Sequence, residues 1–304
     1  MKISVRLLAC LALWALATTT PSQTAESPSF IAYFRGEYLT ALKLAETEAQ
    51  SGSKEAYTLM GEIYAEGLGV AQDFKKAAEA YAKAAELGDT NAQFSLGNLV
   101  AEGHGEKKDL ARAADLFEQA AKNGHASAQY NLALIYVDGR GRPTNEKKAV
   151  EWMRKAAGQG NPPAQYDLGA FYQFGRGVQI DKAKAAEWTG KAAEAGLPEA
   201  QTEYGVMLFK GNGVAVDEKR AAAMFRQAAE QGSAVAQNRL ARLYANGVVV
   251  EADPVQAAKW HLLARTAGVS DFSLDLLLAK LTEEQREEAE TAAEAWRHGR
   301  GLGE

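Results

Sequence analysis

Between residues 53 and 268 the chain alternates polar residues with small or apolar ones at steps of three and four. One stretch runs Ala164, Leu168, Phe171, Tyr172 and then, after a polar interruption, Ala185, Ala186, Trp188, Ala192, Ala193. That spacing is the period of an α-helix with one buried face. A longer period overlies it: glycine stands at 52, 88, 124, 160, 196, 232 and 268, each 36 residues after the last. A constant period of this length marks stacked supersecondary units. The pattern predicts six units, 53–88, 89–124, 125–160, 161–196, 197–232 and 233–268, each of two amphipathic helices, A then B. Positions below are counted from the first residue of a unit.

Local chemistry agrees with this division. Helix B follows Asp73, Asp109, Asn145, Asp181, Asp217 or Asp253, side chains whose oxygen accepts from the free amides of a helix start. Pro254 stands where a first-turn proline costs nothing, and each unit closes on a glycine suited to a left-handed helix end. Gly61, Gly97, Ala133, Gly169, Gly205 and Ala241 share position 9, where a small residue lets helix A approach its neighbour. Between the helices lies a Gly-x-Gly loop, "GLGV" at Gly67 and its counterparts from Gly103, Gly139, Gly175 and Gly211. A phosphate cradle is needed once and brings a Lys-Ser/Thr or a preceding strand. A loop copied into unit after unit serves backbone geometry instead. In the sixth unit Val249 replaces the second glycine, which predicts a reshaped turn.

The ends depart from the repeat, as the exposed faces of a solenoid require. Residues 26–52 are expected to form a capping half-repeat, in which Phe30 to Gly52 matches only the second half of a unit, with Ala41, Leu42 and Ala45 in phase. Residues 269–304 predict an apolar helix over 270–280, a capping-box start at Thr282 to Gln285 for a charged helix reaching about Arg297, and a frayed tail. Residues 1–25 read as a secretory signal peptide: Lys2 and Arg6, an apolar run from Leu7 to Ala17, and cleavage after Ala17 or Ala25. Eleven apolar residues fall short of the ~20 that span a bilayer. Export to the periplasm, or secretion, is the expectation, with a mature chain that does not span the membrane.

Cys10, the only cysteine, lies in that leader, so the mature chain is expected to hold no disulfide and no thiolate. The formal charge of −5 falls by 2, to −7, when Lys2 and Arg6 leave, which opposes a nucleic-acid partner.

The segment "AQYDLGAFYQFGRGVQIDKAKAAEWTGKAAEAG", Ala164 to Gly196, resembles the Sel-one-like repeat (SLR), a relative of the tetratricopeptide repeat (TPR), and the likeness extends over 53–268. The second unit's "GHGEKKD" and the sixth's "GVVVEAD" depart from it in the loop. The resemblance implies an all-α fold, an α-solenoid wound as a right-handed superhelix of two-helix repeats, and a non-enzymatic scaffold or adaptor that binds protein partners. Exported bacterial members are similar to periplasmic regulators of envelope signalling and exopolysaccharide production. A cysteine-rich branch binds or hydrolyses β-lactams, which gives the alternative of a cell-wall hydrolase or ligand-binding protein. The paired cysteines of that branch are missing here.

A helical wheel with its core on positions 4, 8, 11 and 12 turns positions 6, 10 and 13 of helix A outward. The candidate partner-binding residues on this concave face are Phe94, Asn98, Tyr130, Leu134, Tyr166, Gln173, Val206 and Phe209. They form either an aromatic-anchored groove for a peptide or helix or a strip half-buried against the next unit. Arg140, Arg142 and Arg176 in the third and fourth loops could receive an acidic segment, or be solvated loop residues. Trp152, Trp188 and Trp260 share a position with Leu116 and Met224, which reads as core filling. The four histidines occupy unrelated contexts, and neither His-Glu-x-x-His nor Gly-x-Ser-x-Gly occurs. No catalytic residue, metal site or cofactor is expected.

Overall fold

The computed structural model describes residues 27–300, so the predicted signal peptide and its cleavage sites lie outside the described residues. The fold is an all-α solenoid. It divides between Thr144 and Asn145 into two compact units. The first holds α1 (Pro28–Phe34), α2 (Tyr38–Gln50), α3 (Lys54–Glu66), α4 (Phe74–Glu86), α5 (Thr90–Glu102), α6 (Leu110–Lys122) and α7 (Ala126–Asp138). The second holds α8 (Glu146–Gly158), α9 (Pro162–Phe174), α10 (Lys182–Glu194), α11 (Pro198–Lys210), α12 (Glu218–Glu230), α13 (Ala234–Asn246), α14 (Pro254–Thr266), α15 (Phe272–Lys280) and α16 (Glu283–Gly299). Within each, helix A packs on neighbouring B helices, as α5 does on α4 and α6 in the first and α11 on α10 and α12 in the second.

The ends of the helices are built by the residues that the pattern singled out. Asp73 Oδ1 accepts from Lys75 and Lys76 amides, and Asp109, Asn145, Asp181, Asp217 and Asp253 cap their helices in the same way. Thr282 and Gln285 close a reciprocal capping box on α16. That helix runs to Gly299, so His298 and Gly299 continue it rather than begin a tail.

The second loop glycine has a reason that the sequence did not show. A Cβ at Gly177 would lie 2.5 Å from the carbonyl oxygen of Glu146, the first residue of α8, and one at Gly213 would strike the carbonyl of Lys182, the first residue of α10. Each loop thus rests backbone to backbone on the start of the preceding helix B, and its glycine has positive φ as well. The sixth loop corrects the expectation of a reshaped turn. Val248 N–H donates to Leu243 O and Asp253 N–H to Tyr244 O, as the fifth loop does through Asn212 and Asp217. Val249 keeps the glycine conformation at φ 67°, alone among described non-glycine residues. A β-branched residue there is strained by about 1–3 kcal/mol.

Position 9 works as a hole for an aromatic knob. A Cβ at Gly97 would sit 2.7 Å from Phe117 Cε1 and one at Gly205 2.7 Å from Phe225 Cε1. The tryptophans divide, which corrects their reading as core filler. Trp260 is buried and meets Trp296 of α16 edge-on at 6.2 Å, whereas Trp152 and Trp188 are only half-buried, beneath the ammonium groups of Lys155 and Lys191 at 3.9 and 4.1 Å.

Candidate functional site

Helix A carries every candidate partner-binding residue. In the first unit Phe94, Asn98, Tyr130 and Leu134 are half-buried. Phe94 is not an open anchor: its ring stacks on the imidazole of His125 at 4.5 Å and 23°. His125 is the N-cap of α7, and its Nδ1 accepts the Ala128 N–H at 3.1 Å. Accepting requires neutral imidazole with the proton on Nε2. Burial holds it neutral by pulling its pKa down to about 4.

A contact with the next N-cap recurs at three other position-6 residues. Thr58 hydrogen-bonds the Asp89 carboxylate, Thr202 Oγ1 and Ser233 Oγ lie 3.1 Å apart, and Asn238 Nδ2 donates to Asp271 Oδ2 at 3.1 Å. At Thr58, Phe94, Thr202 and Asn238 position 6 is therefore a seam between repeats, contrary to its outward placement on the wheel. The wheel locates the core of one helix pair, but not where the next N-cap lands. Position 10 is more open. Asn98 Oδ1 accepts from Asn131 Nδ2 at 3.4 Å, and Glu62 Oε1 accepts the Tyr33 hydroxyl at 2.8 Å. Burial raises the Glu62 carboxyl above its ordinary range and the charge of Glu66 adds to this, while the Tyr33 bond opposes both.

In the second unit Tyr166, Gln173 and Val206 are half-buried, and Phe209 is 36% exposed. Burial, then the negative charges of Glu203, Asp167 and Glu199, push the Tyr166 phenol up to about 12. This part of helix A thus joins an aromatic ring, carboxylates and an apolar side chain open to solvent.

Each candidate arginine lies beside a carboxylate. Arg142 pairs with Asp115 of α6, Arg176 Nε with Glu146 Oε1 of α8 at 3.1 Å, and Arg140 has Asp138 at 3.9 Å. Arg142 and Arg176 each pin a loop to the preceding helix B, so both already have carboxylate partners.

Sequence reasoning passed over a set of buried amides. Gln129, Gln165, Gln201 and Gln237, all at position 5, donate through Nε2 to Ala121, Ala157, Ala193 and Ala229 carbonyls at 3.0–3.3 Å. Each accepting carbonyl lies in the last turn of the preceding helix B, where helical partners run out. The signal was present as an Ala-Gln pair repeated every 36 residues from Ala92-Gln93 onward. Among the described residues there is no group of three or more His, Cys, Asp or Glu placed to hold a metal ion. No helix there is long and apolar enough to cross a membrane.

Comparison with known proteins agrees with this architecture. The Sel1 repeat model matches residues 54–89, 90–125, 126–161, 162–197, 198–233 and 234–269. The crystal structure of a Sel1 repeat protein from Oxalobacter formigenes is 31% identical, with a TM-score of 0.69, over 80% of this chain and 97% of that one. A protective antigen present in uropathogenic Escherichia coli strains, displaying an SLR fold, is 31% identical with a TM-score of 0.58, over 88% of this chain and 67% of the antigen. No curated protein matches. Six tandem matches in unbroken register, on helix pairs joined by the same caps and loops, establish that the chain belongs to the Sel1 repeat family.

Proposed function

We propose that the chain is a non-enzymatic scaffold, exported to the periplasm, that holds a segment of a protein partner against its A helices. Sel1 repeats generally mediate protein–protein interaction, and a role in envelope signalling or exopolysaccharide regulation fits an exported member. The observation that carries this reading is the surface of helix A. Leu134 in the first unit and Val206 and Phe209 in the second remain partly open to solvent, at positions where a peptide or helix finds apolar anchors. The leader-like residues 1–25 support export.

The test is affinity capture from envelope extracts with the full-length product and with Leu134→Ser and Val206→Ser variants, alongside fractionation and N-terminal sequencing of the expressed chain. The expected result is a periplasmic product starting after Ala17 or Ala25, and a co-eluting protein lost with either variant while the melting midpoint holds. A cytoplasmic product, or capture indifferent to both variants, refutes the proposal.

A further inference from the structure

One edge of the second unit exposes four large apolar side chains: Phe174 (57%), Ile180 (65%), Phe209 (36%) and Val216 (61%). They belong to the fourth and fifth repeats, at positions 14 and 20 and at 13 and 20. The first three repeats put Glu66, Glu102 and Asp138 at position 14 and Gln72, Lys108 and Thr144 at position 20. At positions 14 and 20 the repeat framework therefore does not demand apolar groups, whereas Phe209 enlarges a position that already holds Ala65, Ala101 and Val137. Large hydrophobic side chains held in water on adjacent repeats mark an interaction surface.

The loop geometry places them as two pairs on adjacent repeats. Ile180 lies over Gly175, where an added Cβ would meet its Cγ1 at 2.8 Å, directly beside Phe174. Val216 lies over Gly211 in the same way, at 2.8 Å from its Cγ2, two residues past Phe209. Gly213 presses on the carbonyl of Lys182, two residues after Ile180, so the fifth loop sits on the end of the fourth.

Three ammonium groups beside this patch are uncommitted. No ion pair of the second unit involves Lys182, Lys210 or Lys219. Asp181 and Asp217 are occupied in capping α10 and α12, and Glu218 sits in the first turn of α12, where the helix dipole favours it. An apolar patch rimmed by unpaired ammonium groups complements an apolar segment bearing carboxylates.

We infer that this edge docks a segment of the partner protein that combines large apolar side chains with carboxylates. The apolar groups cover Phe174, Ile180, Phe209 and Val216, and the carboxylates meet Lys182 and Lys210. The inference rests on the scaffold reading and names the chemistry of the partner.

The probes are two synthetic amphipathic peptides with identical Leu and Phe positions, one with Glu and the other with Lys on its polar face. Their binding to the full chain is followed by fluorescence anisotropy. The Glu peptide is expected to bind at least about ten-fold more tightly than its Lys twin, and Phe174→Ser with Val216→Ser to remove about ten-fold or more of that affinity. Lys210→Glu reverses the preference, Lys210→Arg keeps it, and melting midpoints stay put because these side chains are exposed. Equal binding of the two peptides, or none by the Glu peptide, overturns the inference. So does flotation with phosphatidylglycerol vesicles, or self-association abolished by Phe174→Ser, since lipid or a second copy would then be the occupant. A partner lost with Leu134→Ser or Val206→Ser but kept by Phe174→Ser and Lys210→Glu leaves the scaffold reading standing and refutes this edge.

Discussion

Replacing Gly205 by alanine tests whether position 9 is a packing constraint or only a preference for small residues. Alanine is the better helix former by about 0.5–1 kcal/mol, so propensity alone predicts stabilisation. The structure predicts the opposite, because the new Cβ would lie 2.7, 2.9 and 3.1 Å from Cε1, Cδ1 and Cζ of Phe225. Phe225 is itself 3% exposed and has nowhere to retreat. Overpacking of this kind costs about 1–3 kcal/mol, so the net loss is about 0–2.5 kcal/mol, near 1 kcal/mol at the middle of both ranges. For a chain of this size that lowers the melting midpoint by a few degrees.

Gly158→Ala supplies the matched control, since nothing lies within 4 Å of a Cβ at the end of α8. It should be neutral or stabilising by a few tenths of a kcal/mol. A second control is the cycle with Phe225→Leu, which removes the clashing ring edge. Gly205→Ala should cost less in that background, so that the double variant loses less than the sum of the two single losses. The assay is urea denaturation followed by circular dichroism, with hydrogen exchange on α11 and α12, because stacked repeats need not unfold in one step. A Gly205→Ala protein as stable as the parent with Phe225 in place, or one that loses as much stability in the Phe225→Leu background as in the parent, would refute the knob-and-hole account.

Three further outcomes follow from the same geometry. Val249→Gly should stabilise the chain by about 1 kcal/mol, the strain relieved less the added chain entropy, read as a rise in the urea midpoint; a fall would show that the valine is relaxed. His125 has a folded pKa depressed to about 4, so the unfolded chain binds the proton first. Its contribution is complete above about pH 6.5 and is lost as pH falls through about 4, up to about 3 kcal/mol. His125→Asn retains a cap acceptor and should flatten that acid limb in midpoint-against-pH curves. Gln201 donates to Ala193 O and Gln227 Oε1 and accepts from Gln231 Nε2, so Gln201→Ala should cost about 2 kcal/mol and speed amide exchange at the α10–α11 junction.

What the sequence disclosed and what it concealed divide by the range of the interaction. The 36-residue period, the aspartate and asparagine caps and the Thr282–Gln285 box depend on residues within a turn of one another, and the structure has them where the pattern put them. The surface of helix A depends on the neighbouring repeat. Position 6 points outward on an isolated wheel, yet Phe94 lies under His125 because the next N-cap comes down on it. Arg176 looks free in its loop until α8 supplies Glu146. Val249 broke a local rule, and the rule gave way because hydrogen bonds from Val248 and Asp253 fix the turn from both sides. The apolar edge at Phe174 and Ile180 was legible in principle, since aligning positions 14 and 20 across the units exposes the change from charged and polar to apolar. It was missed because the wheel directed attention to positions 6, 10 and 13. In a repeat fold each unit is a control for the others. A residue that differs from its counterparts while the backbone stays the same is therefore not demanded by the repeat, and Phe174, Ile180 and Val216 of the fourth and fifth repeats are such departures.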